Sequence, residues 1–170
     1  MSKAIEDVLR SPRKPKVKTA LLAEALLQGR IKVKEFIAFF ESAKDTDKGT
    51  CADVMKHVSA RRPGMLGPNL EVLVRYVDYP APRVWWGVPE TIGNLAAEYP
   101  RPSARAVPAL LRNAADPSTV VRWCAAYALT AIAEADPSAR KTLLPKLRRV
   151  AEKETNNGVF KVYARLLQLK

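Results

Sequence analysis

The clearest structural signal in the sequence is the segment DPSTVVRWCAAYAL at residues 116–129. Asp116 and Pro117 open it as a helix start, because an acid caps free N–H groups and proline lacks the N–H that a first turn leaves unpaired. Beyond them, apolar and small residues recur at spacings of three and four, as at Val121, Ala125 and Ala128. The segment therefore predicts a loop followed by an amphipathic helix.

The same pattern recurs along the chain with a period of 37 residues. A shift by 37 superposes Pro63, Pro100 and Pro137; Pro108 and Pro145; Trp86 and Trp123; Met55, Ile92 and Leu129; and Phe36, Leu73, Leu110 and Leu147. Each unit contains two helical stripes, and no segment shows the alternation typical of a strand. The sequence therefore predicts an all-α chain built of repeated helix pairs.

The period also predicts where the helices lie. Helix pairs are expected at residues 31–60, 68–98, 103–135 and 137–169, preceded by a helix at residues 18–29. Residues 3–10 allow a short helix of their own. Pro89, Pro108 and Pro145 fall inside the helical pattern. Each is expected to kink its helix or to move the helix start, because proline cannot donate the helical hydrogen bond.

The first 18 residues differ from the repeats. Residues 11–18 read SPRKPKVK, and two prolines with four basic residues predict an exposed connection rather than a helix. We therefore divide the chain into a basic N-terminal segment and linker at residues 1–18 and a single helical repeat domain at residues 19–170. A simple tether, an arm that contacts phosphates and a targeting signal all remain open for the linker.

Residues 116–129 resemble the HEAT-repeat signature, in which a loop Asp and Pro precede a Val-Arg pair and an Ala-Ala-x-Ala-Leu run. The matching residues here are Asp116, Pro117, Val121, Arg122 and residues 125–129. The resemblance to this armadillo-type family implies an α-solenoid of about four HEAT-like helix pairs with an N-terminal capping helix. It also implies that the second helix of each pair lines a concave surface.

The resemblance further implies a role for one arginine. In HEAT repeats, the Arg after Val bonds the loop acid of its own or an adjacent unit, so that the repeats form a ladder. Arg122 holds that position, and Asp116 is an available acid. In the preceding unit, Trp85 stands where the Arg is expected.

The net charge of +12 is concentrated at the two ends of the chain. Residues 1–34 hold nine Lys/Arg and three acids, residues 137–170 hold nine and two, and the middle is nearly neutral. Such an excess can attract phosphate backbones or acidic proteins, and it can equally serve solubility. The charge therefore leaves an anionic partner and a purely solvated surface both open.

Length and composition favour a cytoplasmic location. The longest apolar runs, such as residues 106–111, are far shorter than the ~20 residues of a membrane span. Residues 1–7 contain two acids where a secretory signal would be apolar. Cys51 and Cys124 are too few for a disulfide framework or a four-cysteine zinc site. We predict a reducing, cytoplasmic setting and no membrane contact.

The candidate site lies on the second helices, at the positions between the apolar columns. These positions hold Gly49 and Asp53 in the first unit, Trp86 and Glu90 in the second, Trp123 and Tyr127 in the third, and Lys161 and Arg165 in the fourth. Tryptophan, tyrosine and arginine dominate binding surfaces. The aromatic side chains can also pack on one another, so ligand binding and packing both remain open.

The sequence contains no catalytic constellation. His57 is the single histidine, and it is interpreted as a surface residue, while both cysteines are interpreted as small buried thiols. The seven glycines form no phosphate-binding loop. We therefore predict no metal ion, no cofactor and no enzymatic activity.

The predicted function is a non-catalytic scaffold or interaction module that binds a protein or peptide partner on its concave face. The alternative is a nucleic-acid binder whose basic ends contact phosphates while its tryptophans stack on bases. Trp86, Glu90 and Trp123 also resemble the concave face of the HEAT-like alkylpurine DNA glycosylases, which implies DNA repair as a third reading. The sequence specifies neither the partner nor the oligomeric state.

Overall fold

The computed structural model of the chain describes residues 3–168. Every regular element in that range is a helix, and no residue of the range lies in a strand. The all-α prediction is therefore confirmed for the part of the chain that the structure describes. No helix of these residues is both long and apolar enough to cross a membrane.

The helices follow one another with short connections. In chain order they are α1 (Lys3–Arg10), α2 (Pro15–Leu27), α3 (Val33–Ser42), α4 (Asp45–Arg61), α5 (Leu70–Val74), α6 (Pro82–Leu95), α7 (Pro100–Ala104), α8 (Val107–Asn113), α9 (Thr119–Ala135), α10 (Pro137–Lys153) and α11 (Asn157–Leu167). Two 3₁₀ turns, Pro63–Met65 and Gly67–Asn69, connect α4 to α5. We call α4, α6, α9 and α11 the second helices.

Prolines explain where the structure departs from the predicted helix bounds. The helix expected from residue 103 is divided into α7 and α8, and Pro108 occupies the first turn of α8, where no donor is lost. Pro89 and Pro145 instead lie inside α6 and α10, which continue through them. Pro89 cannot donate to the carbonyl of Trp85, so α6 lacks one helical hydrogen bond at that point.

The prediction of an exposed connection over residues 11–18 is wrong in its second half. α2 begins at Pro15, because proline is well suited to the first helical position. The connection is limited to residues 11–14, and the Lys18 Nζ donates to the carbonyl of Leu9 across it at 2.6 Å. Ile5 on α1 is fully buried in the core. The N-terminal residues from Lys3 are thus packed against the helices that follow.

The second helices pack on one another in chain order. α2 contacts α4, α4 contacts α6, α6 contacts α9, and α9 contacts α11. The approach of α4 to α6 is close at Gly87, where a Cβ would lie 2.8 Å from the backbone of Ala52. One apolar cluster extends along this series, and its largest members, including Phe36, Phe40 and Tyr163, are fully buried.

Polar contacts also follow the period of the sequence. Seven ion pairs in residues 3–168 join side chains 30–37 positions apart. They are Glu24–Arg61, Glu41–Arg75, Asp53–Arg83, Lys56–Glu90, Glu71–Arg105, Asp78–Arg112 and Arg122–Glu154. Exposed pairs contribute at most about 1 kcal/mol each, so their main value here is to show which residues face each other.

Long side chains at one repeated position of the period donate hydrogen bonds near the ends of helices. Lys48, Trp85 and Arg122 are 37 residues apart. Lys48 is buried, donates to the carbonyls of Glu41 and Ala43 at the end of α3, and lies 5.9 Å from the centroids of three aromatic rings. The Trp85 indole N–H donates to the Asn113 Oδ1 at 3.0 Å. Each of the three side chains therefore donates to a group at or near the C-terminal end of α3, α8 or α10.

Arg122 bonds an acid, but its partner differs from Asp116. Its guanidinium donates to the Glu154 carboxylate at 2.8 and 3.1 Å and to the backbone carbonyls of Asp116 and Pro117. The Asp116 carboxylate is occupied elsewhere, because it accepts from the Ser118 N–H at 2.7 Å. Glu154 is the loop acid of the adjacent unit, so the ladder contact joins α9 to the connection between α10 and α11.

Candidate functional site

The six predicted site residues lie on three helices that pack in succession. Trp86 and Glu90 are on α6, Trp123 and Tyr127 on α9, and Lys161 and Arg165 on α11. We call these six residues the aromatic face. In each pair the two residues are four positions apart, so both side chains leave the helix on one side.

The centre of the aromatic face is a stacked pair of rings. Trp123 and Tyr127 lie parallel, with 5.7 Å between ring centroids and 7° between ring planes. Trp123 is 37% exposed, which makes it one of few large apolar side chains at the surface of residues 3–168. Val120 is 47% exposed, and its position three residues earlier extends the same side of α9. The exposed Val120 and Trp123 and the partly buried Tyr127 form one apolar strip along α9.

Tyr127 is held in place by a hydrogen-bond chain across three helices. Its hydroxyl donates to the Asn94 Oδ1 at 2.5 Å, and the Asn94 Nδ2 donates to the Ser59 Oγ at 3.0 Å. The chain thus joins α9 to α6 and α6 to α4. Gly93 leaves the space for the ring, since a Cβ there would lie 2.7 Å from it. The orientation of the ring beneath Trp123 is therefore fixed from below.

Neighbouring groups compensate the negative charge of Glu90, the acid of the aromatic face. The Glu90 carboxylate lies 3.6 Å from the Lys56 Nζ, and the Cys124 Sγ donates to it at 3.6 Å. Burial and the adjacent Glu90 charge raise the pKa of the Cys124 thiol to about 12, so the thiol stays protonated. Glu90 therefore links α4, α6 and α9.

The positive charge of Arg165 acts on the Tyr127 hydroxyl. Burial raises the pKa of the Tyr127 hydroxyl, the Glu90 carboxylate adds to this effect, and the Arg165 guanidinium opposes it. The structure thus stacks Trp123 on Tyr127 and places the charges of Glu90 and Arg165 close enough to act on the Tyr127 hydroxyl. Trp86 is partly buried and Lys161 is exposed. Within residues 3–168, neither forms a side-chain hydrogen bond or ion pair with the other four.

A groove continues beside the aromatic face between α2, α4 and α6. Its volume is about 790 Å³, and its lining includes Lys16, Ala20, Ala23, Asp53, His57 and Arg83. Arg83 pairs with Asp53 and donates to the Thr50 Oγ1 at 3.2 Å. Gly49 and Asp53, the candidate positions of the first unit, therefore differ from those of the other units: Gly49 lies under the Arg83 side chain, and Asp53 is neutralised by it.

The other residues considered for chemistry lie apart. His57 is exposed, as predicted, while Cys51 is fully buried and burial raises the pKa of its thiol to about 12. A protonated buried thiol is a poor nucleophile. No group of three or more His, Cys, Asp or Glu residues that could hold a metal ion occurs in residues 3–168.

Sequence reasoning missed the residues that support the aromatic face. Lys56, Ser59 and Asn94 hold Glu90 and Tyr127, and they were not among the candidates. One signal was available, because Lys56 and Glu90 are opposite charges about one period apart. Asn94 carries no such signal, since an amide at the surface of a helix is compatible with solvent alone.

Comparison of the chain with protein-family models and with curated protein sequences finds no match. The HEAT-repeat resemblance therefore stays a prediction.

Proposed function

We propose that the chain is a HEAT-like α-solenoid that acts as a non-catalytic interaction module and binds a peptide segment of a protein partner on the aromatic face. Two observations support a stack of about four helix pairs. The second helices pack in chain order, and the ion pairs join residues about one period apart. Both are expected when each unit contacts its neighbours alone.

The observation that carries the proposal is the exposed, fixed stack of Trp123 on Tyr127. A tryptophan that served packing alone would gain more from full burial, since its ring is the largest apolar group of any residue. Trp123 is 37% exposed, although the tyrosine below it is held by Asn94. A rigid aromatic platform of this kind loses little conformational entropy when a partner side chain covers it.

The chemistry of the aromatic face favours a peptide with one apolar and one acidic group. Trp123, Tyr127 and Val120 offer the apolar contact. Lys161 and Arg165 are exposed cations without an ion pair in residues 3–168, whereas Glu90 is compensated by Lys56. The uncompensated charge beside the rings is therefore positive. An apolar side chain on Trp123 with a carboxylate near Arg165 satisfies both features.

Nucleic-acid binding on the same face is the second candidate, and the net charge of +12 favours it. Bases would stack on Trp123 while phosphates contact the cations. Salt distinguishes the two candidates, because phosphate contacts release counterions and lose affinity steeply between ~50 and ~200 mM salt. We propose no glycosylase activity, since the Glu90 carboxylate is engaged by Lys56 and Cys124.

A cytoplasmic location is part of the proposal. Cys51 and Cys124 are both buried as free thiols. Free thiols persist in reducing compartments and are oxidised or paired elsewhere.

The test is a selection of random peptides displayed on phage against the wild-type protein, followed by affinity measurement for three proteins. These are the wild type, Trp123→Ala, and Leu21→Ala as a matched control, because Leu21 is a 39% exposed apolar residue on α2. We expect selected peptides to bind Trp123→Ala roughly 30-fold more weakly, as for a central binding tryptophan. Leu21→Ala should bind like the wild type.

Two results would contradict the proposal. The first is a selection that enriches no peptide although the protein is folded by circular dichroism. The second is a set of peptides that bind Trp123→Ala as tightly as the control. Tight binding of labelled single-stranded DNA that depends on Trp123 at ~200 mM salt would favour the second candidate instead.

A further inference from the structure

A ladder of acid–arginine pairs repeats with the period of the sequence near the C-terminal ends of α3, α5 and α8, which together with α10 we call the first helices. Glu41 accepts from the Arg75 Nη2 at 2.7 Å, and Asp78 accepts from the Arg112 Nη2 at 2.6 Å. Both members of the second pair lie 37 residues after those of the first. The two pairs are therefore the same contact in successive units.

The next step of this ladder has the arginine but lacks the acid. A further 37 residues lead to Ala115 and Arg149. Both residues line one cleft of about 410 Å³ between α8 and α10, together with Lys153. The cleft contains two acids, but Asp116 accepts from the Ser118 N–H and Glu154 is bound by Arg122. In the described chain, Arg149 and Lys153 form no ion pair.

The cleft opens onto α10, which carries more Lys and Arg residues than any other helix in residues 3–168. The exposed side of α10 carries Lys141, Lys146, Arg148, Arg149 and Lys153, with Glu152 as its exposed acid. No ion pair within residues 3–168 involves any of these six side chains. At 1.5 Å per residue, the five cations extend over about 18 Å of the helix. Five like charges this close repel one another unless an anion compensates them.

We propose that these five cations, the α10 cationic surface, bind the phosphate backbone of a duplex nucleic acid, with one phosphate entering the cleft beside Arg149. That phosphate takes the position that the carboxylates of Glu41 and Asp78 hold in the two preceding units. The surface is separate from the aromatic face, which is formed by α6, α9 and α11. The inference therefore does not depend on the proposed peptide binding.

The residue types on α10 favour a duplex nucleic acid over a membrane or a single strand as the anionic partner. None of the large exposed apolar residues lies on α10, so this surface has no group to insert into a membrane. It also carries no aromatic residue on which the bases of a single strand could stack. At 3.6 residues per turn the five cations spread over roughly half of the helix circumference, with Glu152 among them. A broad positive surface of this kind can contact the charges of a duplex backbone, which needs no base contact to bind.

The first experiment measures fluorescence anisotropy of a labelled duplex of ~20 base pairs at ~50 and ~200 mM salt. If all five cations contact phosphates, affinity should fall roughly 500-fold between these salt concentrations, at a slope of about −0.9 per contact. The variant is Lys146→Ala, Arg148→Ala, Arg149→Ala. The matched control is Arg30→Ala, Lys32→Ala, Lys34→Ala, which removes the same charge from an exposed segment distant in sequence.

We expect the α10 variant to lose most of the affinity at ~50 mM salt and to reduce the salt slope by about 2.7, for three lost contacts. The control should keep a slope close to that of the wild type. All the substituted residues are exposed or lie on helix surfaces, so both variants should remain folded. Circular dichroism and thermal unfolding check this before binding is measured.

The second variant is Ala115→Asp, which tests the missing ladder step. A carboxylate at position 115 should pair with Arg149 as Asp78 pairs with Arg112. We expect a raised melting temperature and a duplex salt slope reduced by about one contact. A folded Ala115→Asp protein that binds the duplex like the wild type would contradict the placement of a phosphate in the cleft.

Three outcomes overturn the proposal as a whole. One is the absence of duplex binding at ~50 mM salt. Another is an equal loss of affinity in the α10 variant and the control, which would make the charge effect general. The last is tighter binding to vesicles with anionic lipid, or to a poly-glutamate peptide, than to the duplex, which would assign the surface to a different anion.

Discussion

Among the ion pairs of residues 3–168, Arg122–Glu154 is the least exposed. The side chains are 17% and 3% exposed, and the guanidinium also donates to two loop carbonyls. A lost partner would leave Glu154 buried and charged, which costs far more than the loss of an exposed pair. The hydrogen bond from Arg122 is accordingly the main factor that raises the pKa of its own guanidinium.

Removal of this arginine should destabilise the fold. We expect Arg122→Ala to lower the free energy of unfolding by about 3 kcal/mol, because it leaves a buried carboxylate without its partner. Lys161 is exposed and forms no ion pair in the described residues, so Lys161→Ala should change stability by less than about 0.5 kcal/mol. Urea unfolding of the two variants beside the wild type measures both values. Equal effects would contradict the ladder role of Arg122.

Glu154 should make stability depend on acidity. Burial would raise the pKa of this carboxyl, but hydrogen bonds from Arg122 and from the Asn156 N–H outweigh it and hold the pKa below its ordinary value of 4.5. A lowered pKa contributes stability above pH 4.5, and this contribution is lost as the pH falls through the folded value.

We therefore expect the wild type to lose more free energy of unfolding between about pH 6 and pH 3 than Glu154→Gln, whose amide does not titrate. Urea unfolding at several pH values gives the comparison. The remaining carboxylates titrate in both proteins, so they cancel in the difference. Parallel curves for the two proteins would show that Glu154 has no perturbed pKa.

At the scale of single residues, the sequence predicted the role of Arg122 better than its partner. The HEAT-repeat resemblance implied a bond to the loop acid of the same or an adjacent unit. The unit after α9 has one extra residue, which shifts its loop acid to Glu154. Spacing alone could not show that the Asp116 carboxylate is used by the Ser118 N–H.

At the scale of helices, the packing of α6 against α9 sets the geometry of the aromatic face. The two helices approach at Gly93, where the Tyr127 ring occupies the space of a side chain. The close approach needs glycine, because a Cβ would lie 2.7 Å from the ring and 3.2 Å from the Cα of Ala128. The close contact of α6 with α9 and the orientation of the Tyr127 ring therefore both depend on Gly93.

Substitution of this glycine should disturb the face without removing any of its residues. We expect Gly93→Ala to displace the Tyr127 ring, to destabilise the protein by about 1–3 kcal/mol through overpacking, and to change the emission of Trp123. Tryptophan fluorescence and thermal unfolding record both effects. Gly64→Ala is a suitable control, since its Cβ would come no closer than 3.4 Å to any atom. An unchanged spectrum in Gly93→Ala would show that Tyr127 is not held there.

The second helices were more predictable from sequence than the first helices. α4, α9 and α11 bury regular stripes, such as Val121, Ala125 and Leu129 on α9, and the period located them well. Two of the first helices differ from the expected bounds: α5 covers only Leu70–Val74, although a helix was expected from residue 68, and the helix expected from residue 103 is divided into α7 and α8. Apolar spacing marks the buried side of a segment, but it does not show how many turns stay helical.

At the scale of the whole molecule, the period predicted which units would be neighbours but not which polar groups would meet. Apolar columns carry the order of packing because burial favours them in every unit. The chain from Ser59 through Asn94 to Tyr127 depends on atomic positions that no spacing encodes. The supporting residues of the aromatic face therefore emerged with the structure, whereas the period alone assigns its six members to the second helices.

The most direct measurement of the central claim is an NMR titration of the three indole N–H signals with a selected peptide. Trp85, Trp86 and Trp123 are the tryptophans of the chain, and the Trp85 indole is occupied by Asn113. We expect the Trp123 and Trp86 signals to shift with the peptide while the Trp85 signal stays in place. A peptide that binds with no change at Trp123, or with changes at Trp85 alone, would contradict binding at the aromatic face.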